Sequence, residues 1–213
     1  MPTPGASLSY PRRNRPGLQR AGALALRLIG WTLVGELPTV PKFVAIVAPH
    51  TSNLDFFVGV AVMFALDVDV HFFAKDTLFL GPFGAALRLL GGRPVHRHAP
   101  EGVVAEVAAA VRESPQFILA LAPEGTRRRV AEWRTGFYRI AEAAEIPILP
   151  VWLDWGRKEA GLGTIVYPTG DIRTDLARLR ALYRPDMARP RHRCRTDRSS
   201  QRRCPPLASR RRG

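Results

Sequence analysis

Cysteine is nearly missing from this chain of 213 residues. The two it has, Cys194 and Cys204, both fall in an arginine-rich C-terminal stretch. Neither has His or Cys partners at finger spacing, so they do not make a zinc site. A body without cysteine fits a reducing compartment. No other cluster of metal-ligating residues appears. Long apolar runs are missing too. No uncharged run reaches the roughly 18–20 residues that a bilayer-spanning helix needs. The nearest, residues 21–35, is broken by Arg27 and lacks a signal-peptide cleavage pattern at its end. Internal repeats are absent, which excludes solenoids and arrays.

Acidic residues are scarce at both ends, and this locates the formal charge of +14. Residues 1–20 carry four arginines and no acid. From Arg184 onward eleven arginines face only Asp186 and Asp197. The stretch between is nearly neutral, with 17 basic and 16 acidic residues. Basic ends suit anionic lipid headgroups or anionic polymers, or are simply solvated. The length is that of one domain, and an apolar share of 46% is ample for a core. Residues 1–17 are rich in Pro, Gly and Arg and are expected to be disordered. Residues 184–213, without apolar periodicity, are expected to be a disordered tail. The domain is expected over residues 18–183.

Within it, helix-like and strand-like segments alternate. Helices are expected over residues 18–34, 56–65, 78–90, 102–113, 136–144 and 171–183. Strands are expected over 43–47, 70–74, 117–121, 148–153 and 164–167, with a short extended piece at 93–95. Such alternation predicts an α/β fold with a largely parallel sheet flanked by helices. The first helix has too many apolar residues for one stripe. Either it lies in a membrane interface with Trp31 at headgroup level, or it packs on the domain.

The stretch from Val47 to Asp55 stands where the first apolar strand hands over to a helix. Pro49 ends the strand, and Thr51, Ser52 and Asn53 are good helix caps. In α/β folds ligands bind at that edge of a sheet. On a regular helix His50 and Asp55 would point about 140° apart. A pairing therefore needs the turn that the cap supplies. A carboxylate on one imidazole nitrogen sets the tautomer and readies the other nitrogen as a base. Alone, the pair also reads as a surface histidine and a helix-capping acid.

Three later stretches bear on that choice. Gly91-Gly92-Arg93-Pro94-Val95-His96-Arg97 brings Arg97 out of a tight turn as a fixed cation. Pro123-Glu124-Gly125-Thr126-Arg127, at a strand end, combines backbone amides, a hydroxyl and cations, a reasonable anion cradle. Glu124, a carboxylate beside such a cradle, would brace Arg97 or accept a substrate hydroxyl. Ile146-Pro147-Ile148-Leu149-Pro150-Val151 is an apolar strand with two prolines, suited to wall a groove or to form a core edge strand.

In this order and spacing the four blocks resemble those of the glycerolipid acyltransferase family, over about residues 28–183. The family's His and Asp separated by four residues match His50 and Asp55. Its Gly-x-x-x-x-Arg matches Gly92 and Arg97. Its Pro-Glu-Gly-Thr-Arg matches Pro123 to Arg127, and its proline-containing strand matches residues 146–151. Lys75 and Gly136-Phe137-Tyr138 also stand where members carry similar residues. Three positions depart from the usual pattern: His96 stands for Asp or Asn, Ala122 for Phe, and Arg128 for Ser.

The resemblance implies a single-domain O-acyltransferase of phospholipid synthesis. The donor would be an acyl-thioester, acyl-CoA or acyl carrier protein, and the acceptor a lysophospholipid, 1-acylglycerol-3-phosphate first. His50 and Asp55 would be catalytic. Gly92, Arg97, Glu124, Gly125, Thr126 and Arg127 would bind substrate, with no metal, no cofactor and no nucleic acid involved. The location implied is cytoplasmic, peripheral at the inner face of the membrane. Other readings are a thioester hydrolase on the same frame, an inactive relative, or a basic protein binding membrane or nucleic acid.

Overall fold

The computed structural model describes residues 10–50, 52–95, 100–125 and 132–188. Among the described residues, seven strands form one sheet in the order β1-β7-β6-β2-β5-β3-β4. They are β1 (Thr32–Val34), β2 (Lys42–Ala48), β3 (His71–Lys75), β4 (Gly92–Val95), β5 (Phe117–Leu121), β6 (Ile148–Asp154) and β7 (Glu159–Leu162). All neighbours pair in parallel except β6 and β7. The helices are α1 (Pro16–Leu28), α2 (Leu54–Ala65), α3 (Gly81–Leu89), α4 (Pro100–Glu113), α5 (Gly136–Ala143) and α6 (Ile172–Ala181).

Both faces of the sheet are covered, so its central strands carry continuous apolar runs, as residues 43–48 of β2 and 117–121 of β5 do, rather than apolar residues at every second position. In β2, Phe43 and Ala45 pack with Met63 of α2 on one face. Val44 and Ile46 pack with Val111 of α4, Phe137 of α5 and Leu179 of α6 on the other. A buried network ties α5 to α6: the Tyr138 hydroxyl and both Thr169 N–H and hydroxyl donate to one oxygen of Asp175. Burial alone would raise the Asp175 carboxyl, but these donors outweigh it and hold it below the usual carboxylate range.

The first expected helix divides in two. α1 stops at Leu28 because Gly30 turns into the left-handed region, φ 73°, and residues 32–34 become β1. Trp31 does not reach a headgroup level; it is buried at 5% exposure beside α2. α1 itself lies against α2 with Gly22 at the crossing. A Cβ there would meet the Ala65 nitrogen at 2.6 Å and the Ala61 oxygen at 2.7 Å. Gly22→Leu is therefore expected to wedge the pair apart, lower Tm in a thermal melt and cost about 1–3 kcal/mol. An unchanged Tm would show that the crossing is not tight.

Two further expectations shift. The helix expected over 78–90 is a 3-10 turn, Asp76–Phe79, followed by α3. The last strand is β7, not 164–167, where only Val166 bridges to Ile148. β7 reads poorly as a strand because Gly161 interrupts it, yet that glycine leaves room for the Trp152 ring. β6 is no edge strand, being paired with both β2 and β7. Pro147, just before it, and Pro150 within it serve as acceptors: Pro147 O takes the Val44 N–H and Pro150 O the Gly163 N–H.

The domain also reaches beyond 18–183. Residues 10–15 strap onto the body: Arg13 donates to the carbonyls of Leu90 and Val68, and Arg12 pairs with Asp67. At the other end, the 3-10 turn Pro185–Met187 docks through Arg184 to Asp154 at 2.8 Å. The remaining parts of the two expected disordered ends lie outside the described residues.

Candidate active site

Parallel strands end at a common edge. Here Ala48 of β2, Lys75 of β3, Val95 of β4 and Leu121 of β5 all leave the sheet on the same side. The chain runs from Ala48 through a cis peptide to Pro49 and His50, and α2 begins at Leu54. Asp55, in its first turn, folds back over the cap. Its Oδ2 accepts the Ser52 N–H at 2.7 Å and lies 3.6 Å from His50 Nδ1. Ser52 in turn accepts the Leu54 N–H through its hydroxyl. The cap thus brings together two side chains that a regular helix would separate. Asp55 is 2% exposed, so it does more than decorate a helix end, while His50 keeps about a quarter of its side chain open.

Asp55 has a further partner that sequence spacing does not reveal. The Trp155 indole N–H donates to Oδ1 at 2.7 Å from 100 residues further along. Both oxygens of the buried carboxylate are thereby engaged.

His50 and Asp55 open onto a cavity of about 1120 Å³. Its floor is the α2-facing side of the sheet, including Ala45, Ala120 and Val151, and its roof includes Phe56, Gly59 and Met63 of α2. A mostly apolar cavity with a few polar groups at one end is the usual form of a small-molecule site. Leu149 and Val151 of the proline-containing strand do wall this space. Gly59 meets nothing within 4 Å where a Cβ would stand, so its missing side chain is part of the space.

The Pro123-Glu124-Gly125 turn follows β5 to the cavity mouth. It is closed by the Gly125 N–H on Ala122 O and the Arg134 N–H on Pro123 O. Gly125 has φ 61°, and a Cβ there would strike the Arg134 side chain at 2.5 Å. Pro123, Gly125 and Arg134 line the cavity, whereas Glu124 is buried beside it at 8% exposure. Among the described residues, Lys75 and Arg134 are the permanent cations on the wall. The sequence does not single out Arg134: one arginine among 29 carries no contrast.

Of the other expected site residues, Arg97, Thr126 and Arg127 lie outside the described residues. Gly92 is placed at the far end of β4, paired with Phe72 and packed under Leu87, where a Cβ would meet the Leu87 oxygen at 2.7 Å. It borders a separate, smaller pocket with His71, Arg88 and Arg93. Burial, then the neighbouring Arg93, pushes the His71 imidazole down from its ordinary value. Gly92 therefore shapes the start of β4 and does not line the His50 cavity. Among the described residues, no three His, Cys, Asp or Glu converge as metal ligands.

Comparison with known proteins agrees with the family resemblance. The profile of the family described as Acyltransferase matches residues 36–154, over half of the chain. No curated protein matches by sequence. The fold is similar to that in the crystal structure of the 1-acyl-sn-glycerophosphate (LPA) acyltransferase, PlsC, from Thermotoga maritima. The TM-score is 0.55 at 20% identity, over 78% of this chain and 75% of that chain. The matched segment contains the His50–Asp55 cap, the Pro123-Glu124-Gly125 turn and the β6 wall, and on that basis the chain belongs to the acyltransferase family.

Proposed function

We propose that this acyltransferase moves a fatty acyl group from an acyl-thioester, acyl-CoA or acyl carrier protein, to a free hydroxyl of a lysophospholipid. The first candidate acceptor is 1-acylglycerol-3-phosphate. The observation that carries this reading is a carboxylate-backed histidine at the mouth of an apolar cavity large enough for an acyl chain. The similarly folded Thermotoga maritima protein is a 1-acyl-sn-glycerophosphate acyltransferase.

A hydroxyl at neutral pH is a weak nucleophile, so its proton must leave as it attacks. With Nδ1–H directed at Asp55, His50 Nε2 takes that proton. The oxygen bonds to the thioester carbonyl carbon, and the carbon–sulfur bond breaks as the tetrahedral intermediate collapses. The imidazolium returns its proton to the departing thiolate. No enzyme nucleophile is required, since the acceptor attacks directly. Lys75 and Arg134 suit the acceptor phosphate, joined by Arg97, Thr126 and Arg127 from the motif resemblance. Holding the hydroxyl beside the thioester contributes several kcal/mol to the lowered barrier, about 7 or more in favourable cases.

Among the described residues no helix is long and apolar enough to cross a membrane. Exposed large apolar side chains on α1, α2 and α3, among them Leu28, Phe57, Phe83 and Leu89, fit peripheral contact with a lipid surface where the acceptor resides. A cytoplasmic location at the inner face of the membrane is the matching proposal.

The test is a transfer assay with acyl-CoA and acyl-carrier-protein donors against lysophosphatidic acid, glycerol-3-phosphate and other lysolipids. Acylated lipid is the expected product; free fatty acid alone, whatever the acceptor, would make the protein a hydrolase. Gly59→Leu is expected to shift donor preference toward shorter chains, read as kcat/KM across a chain-length series. An unshifted preference would remove the acyl chain from this cavity.

A further inference from the structure

We propose that Trp155 is a positioning residue for the His50–Asp55 pair: its indole N–H fixes the plane of the Asp55 carboxylate, and through it the tautomer of His50. This rests on the reading of His50 as the base.

Rotation about the last bond of an aspartate is soft, with a broad torsional profile. A carboxylate held by one oxygen can tip, and a tipped Asp55 presents no lone pair to His50 Nδ1. Here the two oxygens are divided between partners. Oδ2 serves Ser52 N–H and faces His50, while Oδ1 takes the indole N–H at 2.7 Å. Indole donates and never accepts, so it cannot protonate or deprotonate the pair; it can only orient it. It also supplies the charge-assisted bond that a carboxylate this deeply buried requires.

The indole itself is held still. Trp155 opens the turn that joins β6 to β7, and its backbone N–H donates to Met187 O at 3.0 Å. Its ring meets the buried Trp31 edge-on, centroids 5.1 Å apart at 87°. Next to it, Asp154 accepts the Arg157 N–H in the turn and pairs with Arg184. The brace thus draws on Trp31, just before β1, and on the C-terminal 3-10 turn, both remote from the motif that supplies the pair.

Trp155→Phe keeps an aromatic ring against Trp31 and removes the donor. The expected result is a fall in kcat of about tenfold or more with KM for both substrates unchanged. In an Asp55→Asn background the same change is expected to have no further effect, because the carboxylate it acts through is gone. Equal losses in both backgrounds, or an unchanged kcat, would overturn the proposal by reducing Trp155 to packing. An arm independent of turnover is ¹⁵N NMR of the ring, His50 being assigned among the five histidines by its loss in His50→Ala. The Nδ1–H form is expected to dominate in the native protein and to give way to a tautomer mixture in Trp155→Phe. Identical ring spectra would also overturn it. If the native protein transfers no acyl group, the transferase reading fails, and the ring spectra still decide the role of Trp155. Should Trp155→Phe fail to fold, 3-benzothienylalanine at position 155 keeps the bicyclic shape with sulfur in place of N–H, and the same readouts apply.

Discussion

His50→Ala is expected to lower acyl-transfer turnover by about 10²- to 10⁴-fold without unfolding the protein, the usual range for losing a general base. The separation of effects follows from the burial. The His50 side chain is about a quarter exposed and stands on the link between β2 and α2, outside the three apolar clusters that hold the sheet to its helices. Removing it opens no core cavity. What disappears is the acceptor for the hydroxyl proton, at the mouth of a cavity that remains intact. Single-turnover kinetics with saturating donor and acceptor, together with a thermal melt, check both halves. A variant that transfers acyl groups at near-native rate would remove His50 from the mechanism.

Asp55→Asn is expected to cost nearly as much turnover, about 10²-fold or more, and to cost stability as well. The amide matches the carboxylate in shape but offers one acceptor oxygen and one donor group. Three donors converge on this site: Ser52 N–H and His50 Nδ1 beside one oxygen, and the Trp155 indole N–H at the other. Whichever way the amide turns, an NH2 faces a donor in a fully buried position. If it opposes the indole, the Trp155 bond is lost. If it opposes His50, the imidazole is driven to carry its proton on Nε2, the nitrogen that should accept one. The buried mismatch costs about 1–3 kcal/mol. Denaturant melts and kcat therefore fall together here, unlike in His50→Ala. Native stability in Asp55→Asn would contradict the tight carboxylate site.

Much of this was legible in the chain because the signals are local. A strand buried on both faces writes itself as an uninterrupted apolar run, as residues 43–47 and 117–121 do. The His50–Asp55 pair was legible for the same reason: strand, proline and helix cap follow one another within a dozen residues, so the turn that joins the two side chains could be inferred. The Gly125 turn was visible as a strand end followed by glycine. What stayed hidden depends on contacts distant in sequence. β7 is disguised by Gly161, a residue explained only by the Trp152 ring lying over it. The strap of residues 10–15 looks like a solvated basic end until Asp67, Asp69 and the Leu90 carbonyl just after α3 are seen to receive its arginines. Gly92 reads as part of a phosphate-binding turn, yet parallel register sets it at the opposite end of β4 from the site. Trp155 could not be found at all, since no spacing rule connects residues 55 and 155.

The central claim is that the acyl chain lies under α2 with its thioester beside the carboxylate-backed histidine. The most direct measurement is a crystal structure with a non-hydrolysable acyl-CoA analogue whose thioester is replaced by a thioether. The expected result is an alkyl chain passing Gly59 and Met63 between α2 and the sheet, with the carbon next to sulfur within reach of His50 Nε2. An analogue seated elsewhere, with the cavity beneath α2 empty and His50 facing no part of the ligand, would contradict the account.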